Sequence, residues 1–172
     1  SSDATHALRL LDRLLALGLD SEEMHAMALQ LGSDCPYFLS DGVQEATGRG
    51  DVLKALPLRL NGLWMVVVNP GIHVPTSLVF SAISPSGAET GFASRLAGTP
   101  LEEWHVIAPN TMEDWVFSAH PPIGAVRDKL LDIGAAHAAM SGSGSTVFGI
   151  FREEPTKVSW PEEYRSWTFL LP

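Results

Sequence analysis

The run Ser141-Gly142-Ser143-Gly144-Ser145 separates the alanine-rich stretch at 135–139 from Thr146-Val147-Phe148-Gly149-Ile150-Phe151. Consecutive small residues with two glycines can neither fill a core nor continue a helix, so the backbone has to turn there. The flanks then read as strands, giving strand, glycine turn, strand. Just upstream, Pro121-Pro122 opens a helix with Ile123, Val126, Leu130 and Ile133 on one face, and Gly134 supplies its left-handed stop. The turn itself has two readings. Its backbone N–H groups and hydroxyls can converge on an anion, or it is a hairpin turn of small residues. Standard loops do not fit: Val147 stands where a dinucleotide fingerprint needs its third glycine, and Ile150 and Phe151 replace the Lys and Ser/Thr of a Walker A loop. No serine of the run has glycines two residues to either side, as a nucleophile elbow requires.

Toward the N-terminus, Ala7, Leu8, Leu11, Leu14 and Leu15 recur at helical spacing up to a stop at Gly18. Asp20 with Glu23 makes a capping-box signature for a second helix, with Met24, Met27, Ala28 and Leu31 on its apolar face and Gly32 closing it. Ser33-Asp34-Cys35-Pro36-Tyr37-Phe38-Leu39, the turn Asp41-Gly42 and the stretch to Gly48-Arg49-Gly50-Asp51 read as strand, tight turn, strand. Residues 53–62, with Pro57 and Asn61-Gly62, form the best linker. Trp64-Met65-Val66-Val67-Val68 is a buried strand ended by Asn69-Pro70-Gly71, and a short helix follows from Val74-Pro75-Thr76, capped by Thr76 or Ser77. Residues 84–98 read as loop, 101–104 and 111–119 as short helices, and Trp167-Thr168-Phe169-Leu170-Leu171 as the last strand.

Composition narrows function. The 172 residues are 45% hydrophobic and 18% charged, enough for one domain or two small lobes. Eleven basic against 20 acidic residues leave a formal charge of −9, which excludes nucleic-acid or anionic-membrane binding driven by bulk electrostatics, so any phosphate site must be local. The apolar run at 63–68 falls far short of the ~20 residues a membrane-spanning helix needs. The single cysteine, Cys35, allows no internal disulfide and no thiolate zinc site, and it reads as small apolar filler; a cytoplasmic location follows as the expectation. The six histidines form no ligand-like pair. Asp34, in a turn before Pro36, could cap that turn or take a proton from a substrate hydroxyl.

In order and spacing, Leu31-Gly32-Ser33-Asp34-Cys35-Pro36-Tyr37-Phe38, Gly48-Arg49-Gly50-Asp51, Asn69-Pro70-Gly71-Ile72-His73-Val74-Pro75-Thr76 and the Ser141–Ser145 loop with Thr146-Val147-Phe148 resemble the GHMP small-molecule kinases over almost the whole chain. The resemblance implies a two-lobe α+β kinase, with residues 1–55 ending the nucleotide lobe, 56–172 forming a ferredoxin-like sandwich, and the active site between them. It implies ATP and Mg²⁺ as cofactors. The implied substrate is a cytidine diphosphate-linked methylerythritol, phosphorylated on its 2-hydroxyl in non-mevalonate isoprenoid synthesis. Asp34 then activates or orients that hydroxyl, Gly142, Ser143 and Gly144 close over the phosphates, and Ser1 and Ser2 are ligands for phosphate or Mg²⁺. Thr76 and Phe80 line the cytidine pocket, where Phe80 stacks on the base; otherwise Phe80 is ordinary core. Ser1-Ser2-Asp3-Ala4 resembles the end of the family's phosphate loop, so a C-terminal portion, inactive alone, is expected. Another GHMP substrate, or a non-catalytic ligand-binding domain, is the competing expectation.

Overall fold

The computed structural model describes residues 1–83 and 92–172, and these fall into two units, Ser1–Leu58 and Arg59–Pro172. No helix among the described residues is long and apolar enough to cross a membrane.

The first unit opens with α1 (Ser2–Leu15), which buries Thr5 and Leu8, and α2 (Ser21–Leu31), which buries Ala28. The α2 cap is as expected: the Asp20 carboxylate accepts from the Glu22 and Glu23 N–H groups, and the Glu23 side chain accepts from the Asp20 N–H. The α1 stop is not at Gly18. The chain turns left-handed at Ala16, φ 48°, where the Ala16 and Leu17 N–H groups bond to the Arg13 and Asp12 carbonyls and so close the last turn. After α2 the expected strand is also absent. Cys35–Leu39 wind into a 3₁₀ helix, because Pro36 has no N–H for a ladder and its fixed φ suits a helix start, while Cys35 and Pro36 are buried. The hairpin comes later, as β1 (Gln44–Thr47) and β2 (Val52–Ala55), in register Gln44↔Ala55 to Thr47↔Val52. Its tip is Gly48-Arg49-Gly50-Asp51, not Asp41-Gly42.

The second unit is built on one antiparallel sheet of order β4-β5-β3-β6, comprising β3 (Trp64–Asn69), β4 (His137–Met140), β5 (Val147–Phe151) and β6 (Arg165–Leu170). Between β3 and β4 lie α3 (Thr76–Ala82), α4 (Phe92–Ala97), a 3₁₀ turn at Leu101–Glu103, α5 (Trp104–Ile107), α6 (Glu113–Ala119) and α7 (Pro121–Asp132). The strand order is that of the expected ferredoxin-like sandwich. The second crossover helix is missing, however, since residues 152–164 contain no helix or strand. α4 occupies part of a stretch expected to be loop, the remainder of which, 84–91, lies outside the described residues. Neither Thr76 nor Ser77 caps α3: Pro75 holds the cap position and no side-chain bond closes it.

Strand alternation decides which face is core. Val66 and Val68 of β3, Ala138 and Met140 of β4, and Val147 of β5 point to the face covered by α7, whose Ile123, Val126 and Leu130 are buried with Val74, Val79 and Val116. Fully burying each such side chain contributes about 1.5–3 kcal/mol. α7 can approach this closely because Gly149 sits beneath it: a Cβ there would lie 3.3 Å from the Leu130 and Ala135 Cβ atoms and 3.1 Å from the Phe151 ring. Gly149→Ala should therefore overpack the interface and lower stability by about 1–3 kcal/mol, measured by denaturant unfolding; an unchanged midpoint would show that α7 is not tightly seated.

Candidate functional site

In the first unit, Asp34 stands at the start of the 3₁₀ helix, exposed, with no capping bond to it. Among the described residues its side chain has one partner, the Ser33 hydroxyl, which donates to Oδ1 at 3.2 Å. The capping role is thereby removed. The peptide that follows is fixed more firmly. Thr5, fully buried in α1, donates its hydroxyl to the Cys35 carbonyl at 2.8 Å, and the Cys35 thiol lies 3.7 Å from the Ser1 carbonyl. These bonds seat the Asp34 turn against the first turn of α1, where Ser1 is exposed and Ser2 contacts His6. Cys35, 1% exposed, serves as packing. The hairpin tip comes close as well: a Cβ on Gly50, φ +94°, would be 3.4 Å from Asp34 Oδ1.

In the second unit the glycine loop joins β4 to β5. The Ser141 N–H donates to the Thr146 carbonyl and the Gly144 N–H to the Ser141 carbonyl, with Gly142 at φ 56° and Gly144 at φ 89°. Both glycines occupy backbone conformations that other residues rarely adopt. Thr76, at the start of α3, shares a 2.9 Å hydroxyl hydrogen bond with Ser143 at the loop tip. One turn along α3, Phe80 is 58% exposed, so it is not a core residue. The structure thus groups Ser1, Ser2 and Asp34 in one unit and Thr76, Phe80, Gly142, Ser143 and Gly144 in the other.

Three side chains that no motif in the sequence marks for this role hold the loop and its β4 flank. Asn69 Nδ2 donates to Thr146 Oγ1 at 2.9 Å. Asn110 Nδ2 donates to the Met140 and Gly142 carbonyls at 2.9 and 2.8 Å. Glu113 accepts the Met140 N–H at 2.6 Å and lies 3.7 Å from Arg127. The available signal is Asn110 three residues before Glu113, a cap-like spacing that straddles the start of the helix expected at 111–119. A cleft of about 510 Å³ lined by Gly134, Phe151, Arg152 and Glu154 contains none of the candidate residues. Among the described residues no three His, Cys, Asp or Glu side chains converge on a metal. Mg²⁺ needs no such cage, because it keeps waters and takes ligands from phosphates alongside one or two protein oxygens.

The family model "GHMP kinases C terminal" matches residues 101–159. A 4-diphosphocytidyl-2-C-methyl-D-erythritol kinase of Porphyromonas gingivalis is 36% identical over 156 residues, covering 90% of this chain and 57% of the relative. One from a Geobacter species is 36% identical over 170 residues, covering 97% and 60%. The chain therefore spans well under two thirds of the length of these relatives. A crystal structure of 4-(cytidine 5'-diphospho)-2C-methyl-D-erythritol kinase superposes with a TM-score of 0.70 at 30% identity, covering 96% of this chain and 62% of that one. A homoserine kinase from Cytophaga hutchinsonii, at 16% identity and TM-score 0.61, shares the fold.

Burial raises the Glu113 pKa above its usual 4.5, against the opposing pull of the Met140 N–H and Arg127. A carboxyl raised in this way stabilises the fold fully below its unfolded pKa, and that contribution is lost as pH rises through the folded value. Glu113→Gln keeps an oxygen for the Met140 N–H and abolishes the titration. Its stability relative to the parent should climb as pH rises above the usual carboxylate value, whereas Glu113→Ala, which leaves that N–H unpaired, should cost about 1–3 kcal/mol at acid and neutral pH alike. Denaturant melts from acid to neutral pH check both; a Gln variant that parallels the parent at every pH would refute the assignment.

Proposed function

We propose that the chain belongs to the GHMP kinases and that, in the complete protein, it takes part in ATP-dependent phosphorylation of the 2-hydroxyl of 4-diphosphocytidyl-2-C-methyl-D-erythritol, a cytoplasmic step of isoprenoid precursor synthesis. The observation that carries the reading is the Asp34 carboxylate. It is exposed, bound to Ser33 alone among the described residues, and held in place through the Thr5 bond to the next carbonyl. The identity of the relatives over nine tenths of this chain supports the choice of substrate.

Phosphoryl transfer has a loose transition state, so the protein contributes mainly positioning and charge stabilisation. In this reading Asp34 orients the substrate hydroxyl and accepts its proton as the oxygen bonds to the γ-phosphorus and ADP leaves. Backbone N–H groups of Gly142 and Ser143 face phosphate oxygens, while Gly144, whose N–H is held by the Ser141 carbonyl, closes the turn that presents them. The Ser1 and Ser2 hydroxyls are oxygen donors of the kind that suits phosphate or Mg²⁺. When bound, Mg²⁺ neutralises charge between the β- and γ-phosphates. Thr76 and the exposed ring of Phe80 form the side that receives cytosine.

Measuring ADP release by the complete protein with the cytidine-linked substrate, and with homoserine and mevalonate as competitors, tests the reading; preference for either competitor would displace it. Asp34→Asn should lower kcat by ~100-fold or more while leaving KM within a few-fold, because a proton acceptor acts chiefly in the transition state. Near-normal turnover would remove Asp34 from the chemistry.

Phe80→Ala should leave stability within about 0.5 kcal/mol, as expected for an exposed side chain. Affinity for the cytidine-linked substrate should drop by about 1–3 kcal/mol while ATP binding is retained. Equal losses for both ligands in a titration would take Phe80 out of the cytidine pocket.

A further inference from the structure

Two asparagine amides with no part in the chemistry above grip the glycine loop by its two arms. On the β4 side, both hydrogens of Asn110 Nδ2 are engaged, one by the Met140 carbonyl at 2.9 Å and the other by the Gly142 carbonyl at 2.8 Å, while its Oδ1 accepts the Met112 N–H at 3.0 Å. The partners dictate the amide's orientation, since carbonyls only accept and a backbone N–H only donates. On the β5 side, Asn69 Nδ2 donates to the Thr146 hydroxyl at 2.9 Å and its Oδ1 accepts the Gly71 N–H at 2.8 Å.

A loop with two left-handed glycines has wide conformational freedom when unrestrained. If it ordered only on meeting its ligand, the ordering would be subtracted from affinity; a loop already held in shape avoids that loss. We propose that Asn110, assisted by Asn69, is a positioning residue that presets the glycine loop for the β- and γ-phosphates of ATP. The inference rests on the kinase reading.

The two amides differ in a way that can be measured. Asn110→Asp sets an oxygen that can only accept against two carbonyls that can only accept, yet it keeps the acceptor for Met112. Asn69→Asp faces a threonine hydroxyl, which can turn round and donate, and it keeps the acceptor for Gly71. Both variants add one negative charge beside the same loop, so the difference between them reports hydrogen bonding and not charge.

The experiment is calorimetric titration of the complete protein with ATP and with AMP, after circular dichroism has shown each variant folded. Asn110→Asp should weaken ATP about tenfold more than Asn69→Asp does, with AMP affected equally in the two. Equal ATP affinities for both variants would overturn the inference, as would a parent protein that binds ATP no more tightly than AMP. If Asn110→Asp does not fold, Asn110→Ser, which keeps a short acceptor for Met112 but reaches neither carbonyl, should show the same selective loss of ATP; unchanged ATP affinity there would also overturn it. A parent that binds ATP in this pattern but transfers no phosphoryl group would sink the kinase reading and leave the loop positioning intact. A parent that transfers phosphate while its two variants bind ATP alike would do the reverse.

Discussion

The close seating of α7 on the sheet governs the second unit. Gly149 has no side chain, so Leu130 and Ala135 reach the backbone of β5, and this brings the C-terminal end of α7 down onto the strand that leaves the glycine loop. β4 follows α7 after Gly134 and pairs with β5 from His137↔Ile150 to Met140↔Val147. The loop between them therefore inherits its position from a packing contact midway along β5, where Gly149 pairs with Ala138. Its conformation is then set locally by Asn110, Asn69 and Thr76, none of which belongs to β4 or β5.

What could be read from the sequence follows from how local the cause is. The face of α7, the run Trp64-Met65-Val66-Val67-Val68 and the Asp20–Glu23 cap each depend on residues a few positions apart, and each is present in the structure. Tyr37-Phe38-Leu39 has strand-like composition, but Pro36 outweighs it and Cys35–Leu39 form a 3₁₀ helix. Asp34 was visible as a residue, but that its carboxylate makes no cap is evident only in the folded chain. The Thr5 hydroxyl on the Cys35 carbonyl spans 30 residues, and the Asn110 amide on Gly142 spans 32; no periodicity or motif encodes such pairs.

Charge explains why such neutral contacts matter. At −9 the chain as a whole repels anions. Oriented dipoles can overcome that background at short range, and backbone N–H groups do so best if the loop bearing them is fixed in direction. Amide side chains are suited to fixing it, because they hold a loop without bringing further charge of either sign beside it.

The missing second crossover helix shapes how the second unit comes apart. With residues 152–164 in coil, β6 has every residue exposed and hydrogen-bonds to β3 alone, whereas β3 and β5 are each paired on both sides. Local opening begins where few apolar contacts are buried. β6 should therefore detach ahead of the remaining strands, exchanging its amide hydrogens while β3 and β5 are still protected. The unit then behaves as a three-stranded sheet under α7 with a detachable fourth strand, and its glycine loop lies in the part that stays closed longest.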